Sequence, residues 1–137
     1  MSESALAKKR KLKPGVRAAI IGAPEGYATE LEPLPAGVEL KTRLQGKFDW
    51  IQIFARTKGE LAQLAPRAIS ALKAGGLLWI SFPKGSSKQQ ADLTRDTGWE
   101  MMADSDLKWV NLISVNTTWS AFAMRPYKQG EERQSFR

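Results

Sequence analysis

The sequence predicts an α/β fold with a doubly wound, mostly parallel sheet that ends in an antiparallel hairpin, and three observations lead to this prediction. The apolar runs Phe48–Ala55 and Leu77–Phe82 lack polar alternation, which is typical of parallel strands buried on both faces. An amphipathic helical pattern lies between them, so the three segments form a crossover unit. Near the carboxyl terminus, two further strand patterns are separated only by Asn116 and Thr117, a spacing that favours a hairpin.

The amino-terminal half of this sheet is predicted to be reduced. Val16–Ile21 has the pattern of a short buried strand, and the glycine- and proline-containing segment Gly22–Tyr27 is predicted as a loop. The helix that follows extends little more than a turn, Tyr27–Leu31, because two prolines come directly after it. Val38–Leu44 is predicted as the second strand.

The central helix carries signals at both ends. Thr57 precedes Glu60 by three residues, the spacing of a capping box, and is predicted as the N-cap. Pro66 predicts a kink or a division into two shorter helices, and Gly75-Gly76 predicts the stop. Between these signals one apolar stripe recurs at helical spacing, formed by Leu61, Leu64, Ala65, Ala68, Ile69 and Leu72.

The last third of the chain is predicted as a helix from about Ser87 to Thr97, followed by the strands Leu107–Val115 and Thr118–Met124. Asp92 and Asp96 lie four residues apart and would share one face of that helix. Such a pair can serve acid/base chemistry or a hard metal ion, but the basic residues around it favour an ordinary charged surface.

The composition excludes several classes of function. The chain has no Cys and no His, so thiolate nucleophiles, imidazole bases, disulfides and the usual zinc, iron–sulfur and haem sites are excluded. With 42% hydrophobic residues it can bury a core. We expect one domain over residues 14–126, preceded by a flexible basic arm (1–13) and followed by a polar tail (127–137).

Most of the positive charge lies in that arm. Residues 1–17 carry a net charge of +5, which leaves only +2 of the total +7 for the rest of the chain. The arm is a candidate for contact with nucleic-acid phosphates, and its plain alternative is a frayed, solubilising terminus. The cations that would make such contacts are Lys8, Lys9, Arg10, Lys11 and Lys13.

No apolar stretch of the sequence approaches the roughly 20 residues that cross a bilayer, and the beginning of the chain lacks the apolar core of a secretory signal. We therefore expect a cytoplasmic protein without a membrane partner.

Two segments carry a resemblance to a known family. Phe48-Asp49-Trp50-Ile51-Gln52-Ile53 resembles the fourth-strand motif of class I methyltransferases, and Leu72-Lys73-Ala74-Gly75-Gly76-Leu77-Leu78-Trp79-Ile80-Ser81 resembles their turn into the fifth strand. The closing hairpin resembles their last two strands. The resemblance implies a Rossmann-like sheet and, as cofactor, S-adenosylmethionine.

The whole sequence also resembles a family of small bacterial proteins of unknown function. The shared pieces are Ala23-Pro24-Glu25-Gly26-Tyr27, Pro83-Lys84, Asp92-Leu93-Thr94 and Thr118-Trp119-Ser120.

The chain departs from the methyltransferase pattern where the cofactor would bind. The family has a glycine-rich loop after strand one and an acidic residue at the end of strand two. Here the loop offers Gly22 and Gly26 with Pro24 between them, and the first helix is cut short. Glu39 is the candidate for the ribose-binding acid, and the alternative for it is a surface charge.

In doubly wound sheets, ligands bind beyond the carboxyl ends of the parallel strands. Cations and hydroxyls there suit a small anionic or nucleotide-like ligand, whereas in the plain alternative the prolines and glycines shape turns and the cations are solvated. Trp119 either stacks on a planar ligand or caps the core. The candidates that follow the strands are Gly22, Pro24, Glu25, Gly26, Tyr27, Arg56, Thr57, Lys84, Ser86 and Ser87.

Three hypotheses follow for function. The favoured one is a non-catalytic binding or regulatory module with a methyltransferase-like fold, and its first alternative is a minimal S-adenosylmethionine-dependent methyltransferase. The second alternative is a nucleic-acid accessory protein that uses the basic arm. Because a chain of 137 residues has no room for a substrate-recognition insertion, a homodimer or another partner is expected to complete the site.

Overall fold

The computed structural model describes residues 12–24, 27, 35–84, 92–94, 97–100, 102, 107–115, 118–127, 130 and 131. These residues form a mixed sheet of six strands with the order β2-β1-β3-β4-β6-β5, in which β1 to β4 are parallel and the last two strands form an antiparallel hairpin. The predicted mostly parallel sheet with a reversed edge is therefore confirmed. The elements are β1 (Arg17–Ile21), β2 (Glu39–Lys41), β3 (Phe48–Phe54), α1 (Lys58–Ala71), β4 (Leu72–Pro83), β5 (Leu107–Ser114) and β6 (Trp119–Pro126).

The two faces of the sheet are covered differently. On one face, Ile51 and Ile53 of β3 pack in the same core cluster as Leu61 and Ala65 of α1. The other face carries three tryptophans, Trp50, Trp79 and Trp119, all buried. Burial on both faces explains why β3 and β4 read as continuous apolar runs.

Leu12, which the sequence predicts to lie in the basic arm, packs in the core. Leu12 is 1% exposed and lies in the same cluster as the buried tryptophans. The side chain therefore belongs to the core, whereas Lys13 beside it is exposed.

Helix α1 begins as predicted, with Thr57 as its N-cap, but it is one helix and not two. Pro66 lies inside the helix, on its exposed side. Proline has no N–H to donate to the carbonyl of Ala62, four residues earlier, and Ala62 is exposed as well. Because water can hydrate this carbonyl, the helix continues through the proline to Ala71. Among the described helical residues, none form a segment long and apolar enough to cross a membrane.

The predicted glycine stop of α1 is wrong. The helix ends at Ala71 because Leu72 is already extended (φ −86°, ψ 128°) and pairs with Phe48 of β3. The next register pair is Trp50 with Leu77, so the intervening residues of β4 bulge out of the ladder. Gly75 has a φ of +81° within this bulge, a conformation that glycine adopts without strain.

Strand β2 is shorter than predicted, with three residues instead of seven. It pairs with β1, whereas β3 lies on the far side of β1, so after Lys41 the chain must leave the ladder and cross β1. The crossing segment is held by Arg17, whose Nη1 donates a 2.8 Å hydrogen bond to the carbonyl of Lys47. The predicted short helix that precedes β2 lies, beyond Tyr27, outside the described residues.

The predicted helix from Ser87 to Thr97 is not formed where the structure describes it. Asp92 to Thr94 are irregular, and Thr94 and Thr97 close a turn through a 3.0 Å backbone hydrogen bond. Asp92 has a different role, because its Oδ1 accepts a 2.8 Å hydrogen bond from the Lys58 N–H at the start of α1. The rest of this predicted helix, with Asp96, lies outside the described residues.

The hairpin of β5 and β6 is closed by a 2.9 Å hydrogen bond from the Val115 N–H to the Trp119 carbonyl, and its antiparallel pairing confirms the prediction. Part of the polar tail is fastened to it. Glu131 accepts hydrogen bonds from Lys108 (2.8 Å) and from both terminal nitrogens of Arg125 (3.0 and 2.7 Å). The hydrogen bond with Glu131 raises the pKa of Arg125 above its ordinary value.

Candidate functional site

The candidate site lies at the carboxyl end of the sheet, where the parallel strands β1 to β4 finish. From β1 the chain continues to β2 on one side, and β3 lies on the other, so the switch in strand order falls between β1 and β3. Crevices at such switch points bind the ligands of doubly wound folds. Gly22 directly follows β1 with a φ of +74°, and a Cβ on it would lie 3.2 Å from the carbonyl oxygen of Phe54 in β3. The loop that follows β1, which begins at Gly22 and which we call the β1 loop, therefore starts in close contact with the end of β3.

A buried chain of hydrogen bonds ties this loop to the sheet. The Tyr27 hydroxyl donates to Oε1 of Gln52 in β3 (2.8 Å), and Nε2 of Gln52 donates to Oγ of Ser81 in β4 (2.9 Å). Tyr27 is 1% exposed, and Gln52 and Ser81 are fully buried. Sequence reasoning missed both sheet residues, although each is a polar residue inside an otherwise apolar strand, which was the available signal.

Aromatic rings fill the space beside these bonds. Phe54 contacts Tyr27 edge-on at 4.8 Å and Trp119 edge-on at 5.0 Å. The guanidinium of Arg56 lies over the Trp119 ring at 5.2 Å. Because Trp119 is only 1% exposed, it caps the core, and a planar ligand would have to displace Arg56 to reach its ring.

Arg56 and Thr57 follow β3 and form the start of α1. The Thr57 hydroxyl accepts the Glu60 N–H (3.1 Å), which satisfies one of the free donors at the helix start. The Glu60 carboxylate accepts the backbone N–H of Arg56 at 2.7 Å, one residue before the position that a capping box uses. The Arg56 guanidinium is 3.8 Å from the same carboxylate, and its side chain is 37% exposed.

Lys84 follows β4 at the same end of the sheet. Its backbone N–H donates to the Thr118 carbonyl (2.7 Å), which fixes it against the start of β6. Its ammonium donates to the Ser114 hydroxyl at the end of β5, at 2.6 Å. The residue is half-buried.

Glu39 does not lie with this group. It is the first residue of β2 and pairs in register with Arg17, the first residue of β1, so it lies at the amino end of the sheet. Its carboxylate is 3.1 Å from the Lys41 ammonium and 3.8 Å from the Arg17 guanidinium. Glu39 therefore does not lie at the end of strand two, where the resemblance places the ribose-binding acid, because β2 ends with Lys41.

The structure brings together most of the described candidates, but not all candidates are described. Glu25, Gly26, Ser86 and Ser87 lie outside the described residues, and so do Lys8, Lys9, Arg10 and Lys11 of the arm. Those that converge at the carboxyl end are Gly22, Pro24, Tyr27, Arg56, Thr57, Lys84 and Trp119.

Two cavities lie elsewhere on the described surface. One of about 470 Å³ separates Leu44 and Gly46 from Pro66, Arg67 and Ser70 of α1. The other, of about 220 Å³, lies beside β2, where Arg17, Glu39, Lys41 and Arg43 are among its lining residues. Sequence reasoning pointed to neither of them.

No family model matches the chain, and no curated protein matches it. Solved structures do match. One is a possible exported protein from Bordetella parapertussis, with 14% identity, a TM-score of 0.63, and coverage of 89% of this chain and 66% of that one. A second is the O-methyltransferase family 2 protein from Planctomyces limnophilus in complex with apigenin, with 15% identity, a TM-score of 0.59, and coverage of 83% and 50%.

A third match is DhpI in its complex with SAH, with 13% identity, a TM-score of 0.60, and coverage of 89% of this chain and 82% of that one. The chain thus spans only half to two thirds of the length of the first two of these structures. At such low identities the likeness concerns the fold. The chain has the Rossmann-like fold of the class I methyltransferases, as the motifs in β3 and β4 and the closing hairpin predict.

Proposed function

We propose that the protein is a small methyltransferase-type domain that binds S-adenosylmethionine at the carboxyl end of its sheet, between β1 and β3. The observation that carries this proposal is Gly22. It lies at the switch point of the strand order, where its missing side chain lets the β1 loop run close along the end of β3. The presence of SAH or SAM in solved structures of the same fold supports the choice of ligand.

The residues present fit this cofactor in one part and differ from the family in another. The β1 loop fits, because Gly22 lets the loop lie against the end of β3 at the switch point and the hydrogen bond of Tyr27 holds it on the sheet. The end of β2 differs, since the chain continues there with Lys41, Thr42 and Arg43, which line the cavity beside β2 together with Arg17 and supply no acid. We therefore expect the loop to contribute more of the binding than the end of β2.

When bound, S-adenosylmethionine supplies an electrophilic methyl group. The chain's own contribution is to hold and orient the ligand: Gly22 and Pro24 line it from β1, and Arg56 lines it from β3. The Thr57 hydroxyl oxygen accepts the Glu60 N–H and so holds the beginning of α1 beside the site.

The experiment is a calorimetric titration of the full chain with S-adenosylmethionine and with S-adenosylhomocysteine. Micromolar binding is expected, and no heat at millimolar ligand would overturn the proposal. Gly22→Ala should weaken binding. Gly15→Ala is the matched control, because Gly15 also has a positive φ (+77°) but precedes β1, with nothing within 4 Å of its Cβ position.

A second function, a non-catalytic binding module, is favoured by a different observation. The hydroxyls of Tyr27 and Thr57 are engaged in structural hydrogen bonds, and the sequence has no His or Cys to act as a base or nucleophile. The two functions are separated by turnover: formation of S-adenosylhomocysteine in the presence of fractionated cell extracts supports the enzyme. Tight binding of the cofactor without any product supports the module.

A further inference from the structure

Two cations follow neighbouring strands at the carboxyl end of the sheet. Arg56 follows β3 and Lys84 follows β4, and these strands are neighbours whose last register pair is Phe54 with Ser81. Adjacent strands are about 4.8 Å apart, so both side chains rise from the same short stretch of the sheet end. We call Arg56 and Lys84 the rim cations.

Lys84 has a neutral hydrogen-bond partner. Its ammonium donates to the Ser114 hydroxyl, and none of the described carboxylates lies within ion-pair distance of it. The Lys84 ammonium thus has no counter-charge in the described part of the chain, and an anion that binds there would supply one.

Arg56 keeps donors for a ligand. The Glu60 carboxylate forms its short hydrogen bond with the backbone N–H of Arg56, while the guanidinium is 3.8 Å away. The guanidinium also lies over the Trp119 ring, 5.2 Å from its centroid, within the range of a cation–π contact. A planar, oriented guanidinium beside an ammonium is suited to a carboxylate or a phosphate group.

Arg56 and Lys84 differ in their carboxylate partners, because the Arg56 guanidinium lies 3.8 Å from the Glu60 carboxylate whereas none of the described carboxylates pairs with Lys84. Two other described cation clusters have a carboxylate. Glu39 neutralises Arg17 and Lys41 beside the smaller cavity, and Glu131 neutralises Lys108 and Arg125. At the carboxyl end of β3 and β4, an external anion would therefore meet one cation, Lys84, that has no described carboxylate partner.

We propose that the rim cations bind an anionic group, a carboxylate or a phosphate, of the molecule on which the domain acts. The assignment of that molecule as the methyl acceptor rests on the proposed function, whereas the anion site itself does not. The ligand's anionic group would contact Arg56 and Lys84, with its remaining part directed toward the carboxyl ends of β1 and β3.

The test uses inorganic phosphate and acetate as probes on the full chain without cofactor. Backbone and indole N–H signals are followed by NMR during titration, at constant ionic strength maintained with sodium chloride. Saturable shifts at Arg56, Lys84 and Trp119 are expected. Stronger binding of phosphate points to a phosphorylated ligand and stronger binding of acetate points to a carboxylate ligand. Shifts that sodium chloride alone reproduces would overturn the proposal.

Variants make the test specific. Lys84→Met should weaken binding of the preferred probe by about tenfold or more, as expected for the loss of a charge-assisted hydrogen bond. Ser114→Ala removes the neutral partner but keeps the ammonium, so binding should persist. Lys73→Met, at the amino end of the sheet, is the matched control and should bind like the parent chain. Equal affinity in Lys84→Met and the parent would contradict the proposal.

The two proposals can fail independently. Phosphate or acetate binding that depends on Lys84, in a chain that does not bind S-adenosylmethionine, would leave the anion site standing and refute the proposed function. Binding of S-adenosylmethionine without binding of phosphate or acetate at the rim cations would support the proposed function and refute the anion site.

Discussion

The Tyr27 hydroxyl and the Gln52 side-chain carbonyl, 25 residues apart in the chain, form a buried hydrogen bond of 2.8 Å that holds the β1 loop on the sheet. Gln52 in turn donates to Ser81 in β4, so one series of buried hydrogen bonds links three segments of the chain inside an apolar core. Buried polar groups that lose a partner cost more than the bond contributes, which makes this chain sensitive to single substitutions.

Tyr27→Phe should lower the free energy of unfolding by about 1–3 kcal/mol, because it leaves Oε1 of Gln52 buried without its donor. Gln52→Met should have a cost of the same order, and the double variant should cost less than the two single variants together by about 0.5–3 kcal/mol. Urea denaturation of the four proteins measures this coupling. Tyr27→Phe combined with Lys73→Met serves as the uncoupled control, and strictly additive costs for Tyr27 and Gln52 would contradict the structural account.

Thr57→Ala should destabilise the protein by about 1 kcal/mol, since the hydroxyl that accepts the Glu60 N–H is lost from the start of α1. Thr57→Ser keeps an oxygen in the same place and should recover most of the loss. The urea midpoints of the two variants provide the comparison, with an unchanged slope expected in both. If serine and alanine are equally destabilising, the hydroxyl is not the capping group.

Glu39→Gln should leave the binding of S-adenosylmethionine unchanged, because Glu39 lies at the amino end of β2 and not at its carboxyl end. Its ion pairs with Lys41 and Arg17 are exposed, so the stability cost should be small, about 0.2–1 kcal/mol. Calorimetry on the variant provides the check. A large loss of affinity for the cofactor would return Glu39 to the role of the ribose-binding acid.

Truncation at the amino terminus should depend sharply on where the cut is made. Removing residues 1–13 should cost about 1.5–3 kcal/mol more than removing residues 1–11, because only the longer truncation loses the buried Leu12 side chain. Thermal and urea unfolding of the two truncated chains gives the difference. Equal stability of both would show that Leu12 contributes nothing to the core.

The shorter truncation also tests the basic arm, which we propose as a nucleic-acid contact. It removes Lys8, Lys9, Arg10 and Lys11 while keeping the described fold. For duplex DNA, the slope of log affinity against log salt should become shallower by about 0.9 for each phosphate that the shortened chain no longer neutralises. Fluorescence anisotropy with a labelled duplex measures this slope, and an unchanged slope would refute a role for the arm.

The local signals of the sequence determined the elements that need only neighbours in the chain or burial on both faces. The unbroken apolar runs identify β3 and β4, and Thr57 with Glu60 identifies the beginning of α1. Such signals are reliable because capping is local and because a strand covered on both faces has no polar side to display.

The tertiary structure alone decided the features that depend on distant partners. The sequence pattern placed a stop at Gly75-Gly76, but pairing of Leu72 with Phe48 ended the helix earlier and turned the glycines into a bulge. Likewise, β2 is short because its chain must cross β1 to reach β3.

For the candidate site as well, the sequence indicated some residues and only the tertiary structure showed how they contact one another. Sequence reasoning selected Gly22, Arg56 and Lys84 because each follows a predicted parallel strand, and strand ends of a parallel sheet meet at one side. It could not show that Trp119 lies beneath Arg56, that Tyr27 turns inward to Gln52, or that Glu39 pairs with Arg17 at the opposite end. These relationships join residues more than 20 positions apart, and strand order and register, which no local pattern encodes, determine which of them meet.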